Sequence, residues 1–398
     1  MLYSTAGYFR KRRYRQKDIE KAMVFEAIVD NPGTTRKKLH LQLDLRPNNV
    51  TNIVQELVEE QLVTEHFQKS IKKGRPEIPL SVHLDKLISF GIWVVSHELI
   101  GAVTNMNGDI SSQKSIVLNS ETTNESFFSA VFSLINALYK EIRREQELIG
   151  IGLSLPGIID RKERIWFFNS RWPLVKNLSF QILEERYGIP VAVEQIIDAE
   201  FTAMISKTRK REIKNGMLIH WGFGIGASYA HKGDIVNSTA GSFCELGHLK
   251  IIRNEGDLCT CGETGCLETI SSMRVLLPRL RKKYGELPDN ESQLATSMQH
   301  MNFHGDEDIQ LAVQKMAEAV DSAYRLIFPD TIFVYGPLLA NENIRIQFGK
   351  LLQDFVPSYA KDKLNIEYIH YEISSMSPWG CTIGFFKNRL RVLLKAHH

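Results

Sequence analysis

The sequence predicts an α/β protein in two unequal parts: an N-terminal winged helix-turn-helix and a larger, two-lobed α/β unit. Three observations carry this. Three short helix-like segments and a basic hairpin fill the first 84 residues. From Leu87 onward, short β-rich runs alternate with helical ones, the pattern of an α/β architecture. Basic charge is gathered at the front: residues 1–83 hold 15 Lys and Arg against 10 Asp and Glu, while the whole chain carries only +3. A local basic excess marks a module that meets a polyanion. The length of 398 residues fits two or three units of about 100–200 residues each.

The first helix starts at Asp18, which can cap it, and runs through Ala22, Phe25, Ile28 and Val29 to the stop Asn31-Pro32-Gly33. Thr34 or Thr35 caps a second over Arg36–Leu43. The third, about Pro47–Gln61, opens on a proline, which suits a first helical turn. Val50, Ile53, Val54 and Leu57 form its buried stripe. Arg46, Asn48, Asn49, Thr51, Asn52 and Gln55 remain for the outer face. Amides and hydroxyls there suit base edges, since Asn and Gln make paired bonds to adenine. An ordinary polar surface is the alternative. Two strand-like runs, Leu62–Phe67 and Ile78–Leu84, then flank Lys69–Pro76. In this wing Lys72 and Lys73 are placed for phosphates and Arg75 for a narrow minor groove.

Beyond Leu87, strands are expected at Leu87–Val95, Gly101–Asn105, Ile149–Ser154, Val191–Glu194, Met217–Trp221 and Thr331–Tyr335. Helices are expected at Phe127–Glu145, Leu178–Tyr187, Ser271–Tyr284 and Asp308–Ile327. No apolar segment of about 7–15 residues follows the basic start. The run Leu87–Val95 falls far short of the roughly 20 residues that span a bilayer. The chain therefore reads as cytoplasmic, with no membrane segment and with reduced thiols. Three of its five cysteines lie within eight residues. His248, Cys259, Cys261 and Cys266 supply one imidazole and three thiolates, a ligand set for four-coordinate structural Zn2+. Cys244 and Cys381 fall outside that spacing and read as buried thiols.

The segments Gly222-Phe223-Gly224-Ile225-Gly226, Gly241–His248 and Cys259–Glu268, with Gly152–Asp160, resemble the family of repressors, open reading frames and sugar kinases known as ROK. With the winged helix the resemblance covers nearly the whole chain, and points to regulators of the glucose, N-acetylglucosamine and xylose types. It implies an actin-like, ribonuclease H-like sugar-kinase fold: a DNA-binding domain at 1–84, a first lobe at 85–205 with the terminal helix 381–398 packed back on it, and a second lobe with the zinc site at 206–380. It further implies that Glu245, His248 and Glu268 meet sugar hydroxyls, with Asn169 a looser match. For Glu268, support of the metal loop is the competing role.

Two departures from the kinases stand out. Their Glu-Asn-Asp-Ala-Asn stretch is here Glu194-Gln195-Ile196-Ile197-Asp198, so Ile196 occupies the base position and cannot take a proton; Asp198 is expected to point elsewhere. Their Asp-x-Gly-Gly-Thr phosphate turn is here Trp93–His97, without glycine. The expectation is a regulator without catalytic residues: a sequence-specific DNA-binding protein, acting as a repressor of carbohydrate uptake and metabolism genes. Its partners would be a double-stranded operator, a sugar or sugar-derivative effector and its own copies, as homodimer or homotetramer. A sugar kinase with a DNA-binding arm, and a regulator answering to a docked protein, are the rivals.

Overall fold

The computed structural model describes residues 14–66, 77–169, 171–207, 213–237, 244–252, 256–370 and 375–395. The front of the chain forms helices α1 (Gln16–Asp30), α2 (Arg36–Leu43) and α3 (Pro47–Glu59) and the hairpin β1 (Val63–Glu65) and β2 (Leu80–Val82). Asp18 does not cap α1. Arg15 takes the cap, and Asp18, three residues on, accepts its backbone N–H at 3.3 Å and its guanidinium at 3.1 Å. An acid in the first turn serves that reciprocal role as well as the cap itself. Thr35 caps α2. β1 and β2 pair antiparallel, and Thr34 bridges to Leu80. Val50, Ile53, Val54 and Leu57 of α3 are buried with Ala22, Phe25, Ile28 and Leu39.

The first large sheet contains β3 (Leu87–Val95), β4 (Glu98–Asn105), β5 (Ile110–Val117), β6 (Glu147–Leu155) and β10 (Val191–Gln195). Helix α4 (Asn124–Tyr139) precedes β6. The small strands β7 (Ile158–Asp160), β8 (Ile165–Phe168) and β9 (Leu178–Ser179), with α5 (Gln181–Tyr187), fill the crossover to β10. The strand order is β10-β6-β3-β4-β5. Two expected helices shorten. Helix α4 starts earlier, at the Thr123–Ser126 capping box, and ends at Tyr139; Leu178–Ser179 pairs with β8 instead of joining α5.

Helix α6 (Ile196–Lys207) leads to the second sheet: β11 (Gly216–Trp221), β12 (Ile225–His231), β13 (Asp234–Ile235), β14 (Thr331–Tyr335) and β15 (Ile366–Tyr368). Its order, β13-β12-β11-β14-β15, repeats that of the first sheet. Helices α7 (Glu268–Ser271), α8 (Met273–Tyr284), α9 (Glu291–Met298) and α10 (Glu307–Ile327) lie between β13 and β14, and α11 (Glu342–Phe355) follows β14. Met217, Ile219 and Trp221 of β11 are buried with Leu276, Leu280, Val313 and Val320. The expected helix at Ser271 is broken at Ser272, whose ψ of 151° separates α7 from α8.

The chain returns to the first sheet through α12 (Ser377–Gly380) and α13 (Ile383–Leu393). The approach is close: a methyl group on Gly91 would meet Pro378 at 2.5 Å, and one on Gly152 would meet the Cys381 carbonyl at 2.6 Å. Phe386, Leu390 and Leu394 share a core with α1 and α3. Lys21, fully buried, pairs with Glu56 of α3 at 3.0 Å and with Glu60 just past its end at 2.8 Å, and donates to the Lys395 carbonyl at 3.3 Å. That one ammonium ties the three-helix unit to the terminal helix. No helix among the described residues is long and apolar enough to cross a membrane.

Candidate functional site

Three places in the molecule carry chemistry. On α3, Arg46, Asn48, Asn49, Thr51, Asn52 and Gln55 are all exposed. Three are engaged internally: Asn49 donates to Glu20, the Thr51 hydroxyl to the Pro47 carbonyl, and Gln55 to Glu59. Asn48 and Asn52 make no hydrogen bond to another side chain among the described residues. Lys72, Lys73 and Arg75 lie outside the described residues.

The second place is the knuckle after β13. The ligand atoms of His248, Cys259, Cys261 and Cys266 all lie within 4.8 Å of one another. His248 ends a short 3-10 turn, Leu246–His248. Cys259 and Cys266 are buried and Cys261 is exposed. Gly262 and Gly265, at φ 89° and 77°, turn the chain back between the second and third thiol, a path that an L side chain resists. Burial and the neighbouring thiols push Cys266 up to about 12; holding three thiolates this close would take a cation among them. The donor set can hold a metal ion.

Beside the knuckle, the Glu245 carboxylate lies 4.0 Å from His248 Nε2. Glu268 is fully engaged: one oxygen accepts the Ile225 N–H at 3.0 Å and the other pairs with Arg274 at 3.3 Å. It therefore braces the Gly222-Phe223-Gly224 turn that joins β11 to β12.

The third place is the carboxyl end of β6 and β10, where open α/β sheets receive ligands. Asn169 is buried in the loop after β8. Its oxygen accepts the N–H groups of Arg171 and Trp172 at 3.0 and 2.7 Å, while its NH2 group has no partner among the described residues. Ser154 Oγ, Trp172 Nε1 and Gln195 Oε1 are likewise buried and without a hydrogen bond among the described residues. Ser154, one residue before the end of β6, pairs with Glu194 of β10. Gln195 donates to the Gly157 carbonyl at 3.3 Å, and Gly157 lies against Asn169. Buried polar groups are rarely left unmatched, and these four carry no hydrogen bond among the described residues. Sequence reasoning had found only Asn169 of these four.

Charge at the start of α6 is neutralised from within. Ile196 sits half-exposed at the helix start. Asp198 does turn inward, but Arg161 pairs with it and with Glu194 (2.8 Å), and the Ser228 hydroxyl donates to it. Burial pushes Asp198 and Glu194 up, and Arg161 works against that in both. Deeper in, Tyr335 and Ser377 donate to Glu200, whose carboxyl burial pushes up to about 7. The His220 ring stacks on Tyr335, centroids 4.7 Å apart, and Glu291 accepts from His220 at 2.8 Å. Burial lowers His220, but Glu291 beside it reverses the sign and the net shift is upward. Arg161, Glu200 and Glu291 left no signal in the sequence, because their partners lie 33 to 177 residues away.

Comparison with known proteins agrees with this layout. The xylose repressor of Bacillus subtilis is 27% identical over 293 residues, covering 73% of this chain and 74% of its own. The DNA-binding transcriptional dual regulator NagC of Escherichia coli is 23% identical over 345 residues, 82% of each chain. Among solved structures, a ROK family transcriptional regulator, a homologue of the Escherichia coli MLC protein, superposes with a TM-score of 0.75 at 19% identity, over 96% of this chain and 99% of that one. A ROK hexokinase from Thermus thermophilus superposes at 0.59 with 17% identity, and its chain is used up over 76% of this one. The actin-like lobes are thus shared with sugar kinases. The ROK family model matches residues 90–382, well over half of the sequence, and the chain belongs to the ROK family.

Proposed function

We propose that this chain is a DNA-binding transcriptional repressor of carbohydrate genes whose hold on its operator is set by a sugar or sugar derivative bound between the ROK lobes. The observation that carries the reading is the outer face of α3, where exposed Asn48 and Asn52 stand on a helix whose inner stripe is fully buried. Asn side chains on such a face can each pair with an adenine edge. The xylose repressor and NagC are the relatives that favour repression and a sugar effector. A homodimer or homotetramer would set two copies of α3 on half-sites about 34–36 Å apart.

The orphaned polar atoms of Ser154, Asn169, Trp172 and Gln195 are suited to ring hydroxyls, which both donate and accept. Glu245 and His248 would line the other side, with Glu268 holding the turn behind them. His248, Cys259, Cys261 and Cys266 would hold Zn2+, which braces the loop between Glu245 and Glu268 and has no reaction to perform. Phosphoryl transfer is not supported. Ile196 has no proton to exchange, Asp198 is tied to Arg161 and Ser228, and the Trp93–His97 hairpin offers no glycine cradle. Lack of a general base alone costs about 10²–10⁴ in rate.

The experiment is selection of genomic fragments by the full chain, then anisotropy titration of the selected site with and without a panel of neutral sugars. Asn52→Ala is expected to weaken the selected site by about 1–3 kcal/mol while leaving random DNA nearly unchanged, and one sugar is expected to shift the wild-type curve. Equal losses on both DNAs would remove α3 from base recognition. Turnover of ATP with any of these sugars, abolished in Asp198→Asn, would make the protein a kinase instead.

A further inference from the structure

The Gly222-Phe223-Gly224 turn is built like an anion cradle. It is tight, with Gly222 N–H donating to the Gly224 carbonyl at 3.0 Å. The N–H groups of Phe223 and Ile225 are left over from its hairpin, and successive backbone N–H groups in such a turn attract anions. Both are already occupied by carboxylates of the same chain. Glu268 takes Ile225 N–H at 3.0 Å. Glu291 takes Phe223 N–H at 2.6 Å.

Glu291 is the unusual one. It arrives from the start of α9, 68 residues along the chain, and is only 4% exposed. Its two oxygens lie 2.5 and 2.6 Å from where a methyl group on Gly222 would stand, with His220 Nε2 nearer still, so the carboxylate and the imidazole together fill the hollow that the glycine leaves. Its second oxygen receives His220 Nε2 at 2.8 Å. Arg171, from the Asn169 loop of the other lobe, is near enough to act electrostatically on both His220 and His97. Glu291 is therefore held by a backbone N–H donor and an imidazole, the company that a phosphate would keep. Burying a carboxylate is unfavourable unless it is paired and hydrogen-bonded, and this one is both.

We propose that Glu291 is a resident anion that occupies a phosphate subsite in the cleft, so that the cleft admits uncharged effectors and excludes nucleotides and sugar phosphates at this position. This rests on the reading of the cleft as an effector site, and deepens it by fixing the charge class of what it accepts. The device differs from the missing glycines of the Trp93–His97 hairpin. There the backbone offers no cradle, whereas here the cradle is present and full.

The test is calorimetry of the full chain with inorganic pyrophosphate and with ADP, for wild type, Glu291→Gln and Glu291→Ala. Wild type is expected to show no saturable heat. Glu291→Ala removes the carboxylate and should bind pyrophosphate saturably, with a Kd at least about tenfold below the highest concentration at which wild type stays silent. Glu291→Gln keeps the shape, removes the charge and should fall between them, and it guards against misfolding of the alanine variant. Saturable pyrophosphate binding by wild type comparable to that of the variants overturns the proposal, as does the absence of any gain in both variants with melting curves still cooperative. Neither result depends on operator binding by wild type, whose absence would overturn the regulatory reading alone.

Discussion

The two lobes repeat one strand order, and each has a tight hairpin after its central strand, yet they treat that hairpin in opposite ways. In the first lobe β3 passes to β4 through Ser96 and His97, with Val95 and Glu98 already paired. Ser96 sits at φ 51°, a region that L residues visit at a cost of roughly 1–2 kcal/mol. In the second lobe β11 passes to β12 through Gly222-Phe223-Gly224, and the open backbone is filled by Glu291 and braced by Glu268. The same topology makes the same concavity twice. One copy lacks the backbone for an anion, and the other has the backbone but supplies the anion itself. Only the second can be reopened by changing one side chain.

The second lobe also carries the knuckle, which makes metal removal the largest expected perturbation and an asymmetric one. Cys261→Ser should lower bound metal, read by elemental mass spectrometry, from one ion per chain to near none. Structural zinc binding is worth on the order of 10 kcal/mol in isolated knuckles. Hydrogen exchange should rise around 244–252 and 256–268, with the first sheet little changed. Retention of one ion per chain in the variant would break the ligand set, and equal loosening of both lobes would break the asymmetry.

A smaller effect depends on pH. Glu200 of α6, fully buried and bonded to Tyr335 and Ser377, has its carboxyl raised from 4.5 to about 7. The folded protein thus holds that proton more tightly than the unfolded chain. Its contribution is complete below about pH 4.5 and is lost as pH rises through 7, a swing of about 3 kcal/mol over the window. Glu200→Gln stays neutral throughout, so its stability in urea should fall less between about pH 5 and 8 than that of wild type. Parallel curves for the two proteins would remove Glu200 as the source.

Parts of this arrangement were legible in the sequence. The cluster that could hold a metal was, because its four residues lie within 19 residues and their types suit a metal ion. The buried stripe of α3 was, because helical periodicity is local. The strands of both sheets were found where they are continuous apolar runs, such as Leu87–Val95. Strand β5, with most of its residues exposed, and β12, a mix of glycine, serine and tyrosine, gave no such signal and were missed. Asp18 was misjudged because an acid at the cap and an acid three residues later obey the same electrostatics. The cleft was legible only in part. Glu245, Glu268 and Asn169 came through a family resemblance, whereas Arg161, Glu200 and Glu291 are defined by partners on other elements. Nothing in the local pattern around Glu291 distinguishes a resident anion from an ordinary first-turn acid of a helix.

The smallest effect is the sharpest test of the comparison between hairpins. Ser96 occupies the first central position of a two-residue turn with positive φ, where glycine is favoured. Ser96→Gly should relieve the left-handed strain while giving the unfolded chain more freedom, and the two terms nearly cancel. A net gain below about 1 kcal/mol is expected, measured as a shift of the urea midpoint at constant slope. It should bring no pyrophosphate binding, since one glycine beside His97 leaves the turn two residues long, its ends paired at Val95 and Glu98. Pyrophosphate binding by Ser96→Gly with Glu291 intact would mean that the first-lobe hairpin, not the carboxylate in the second, is what keeps phosphate out of the cleft.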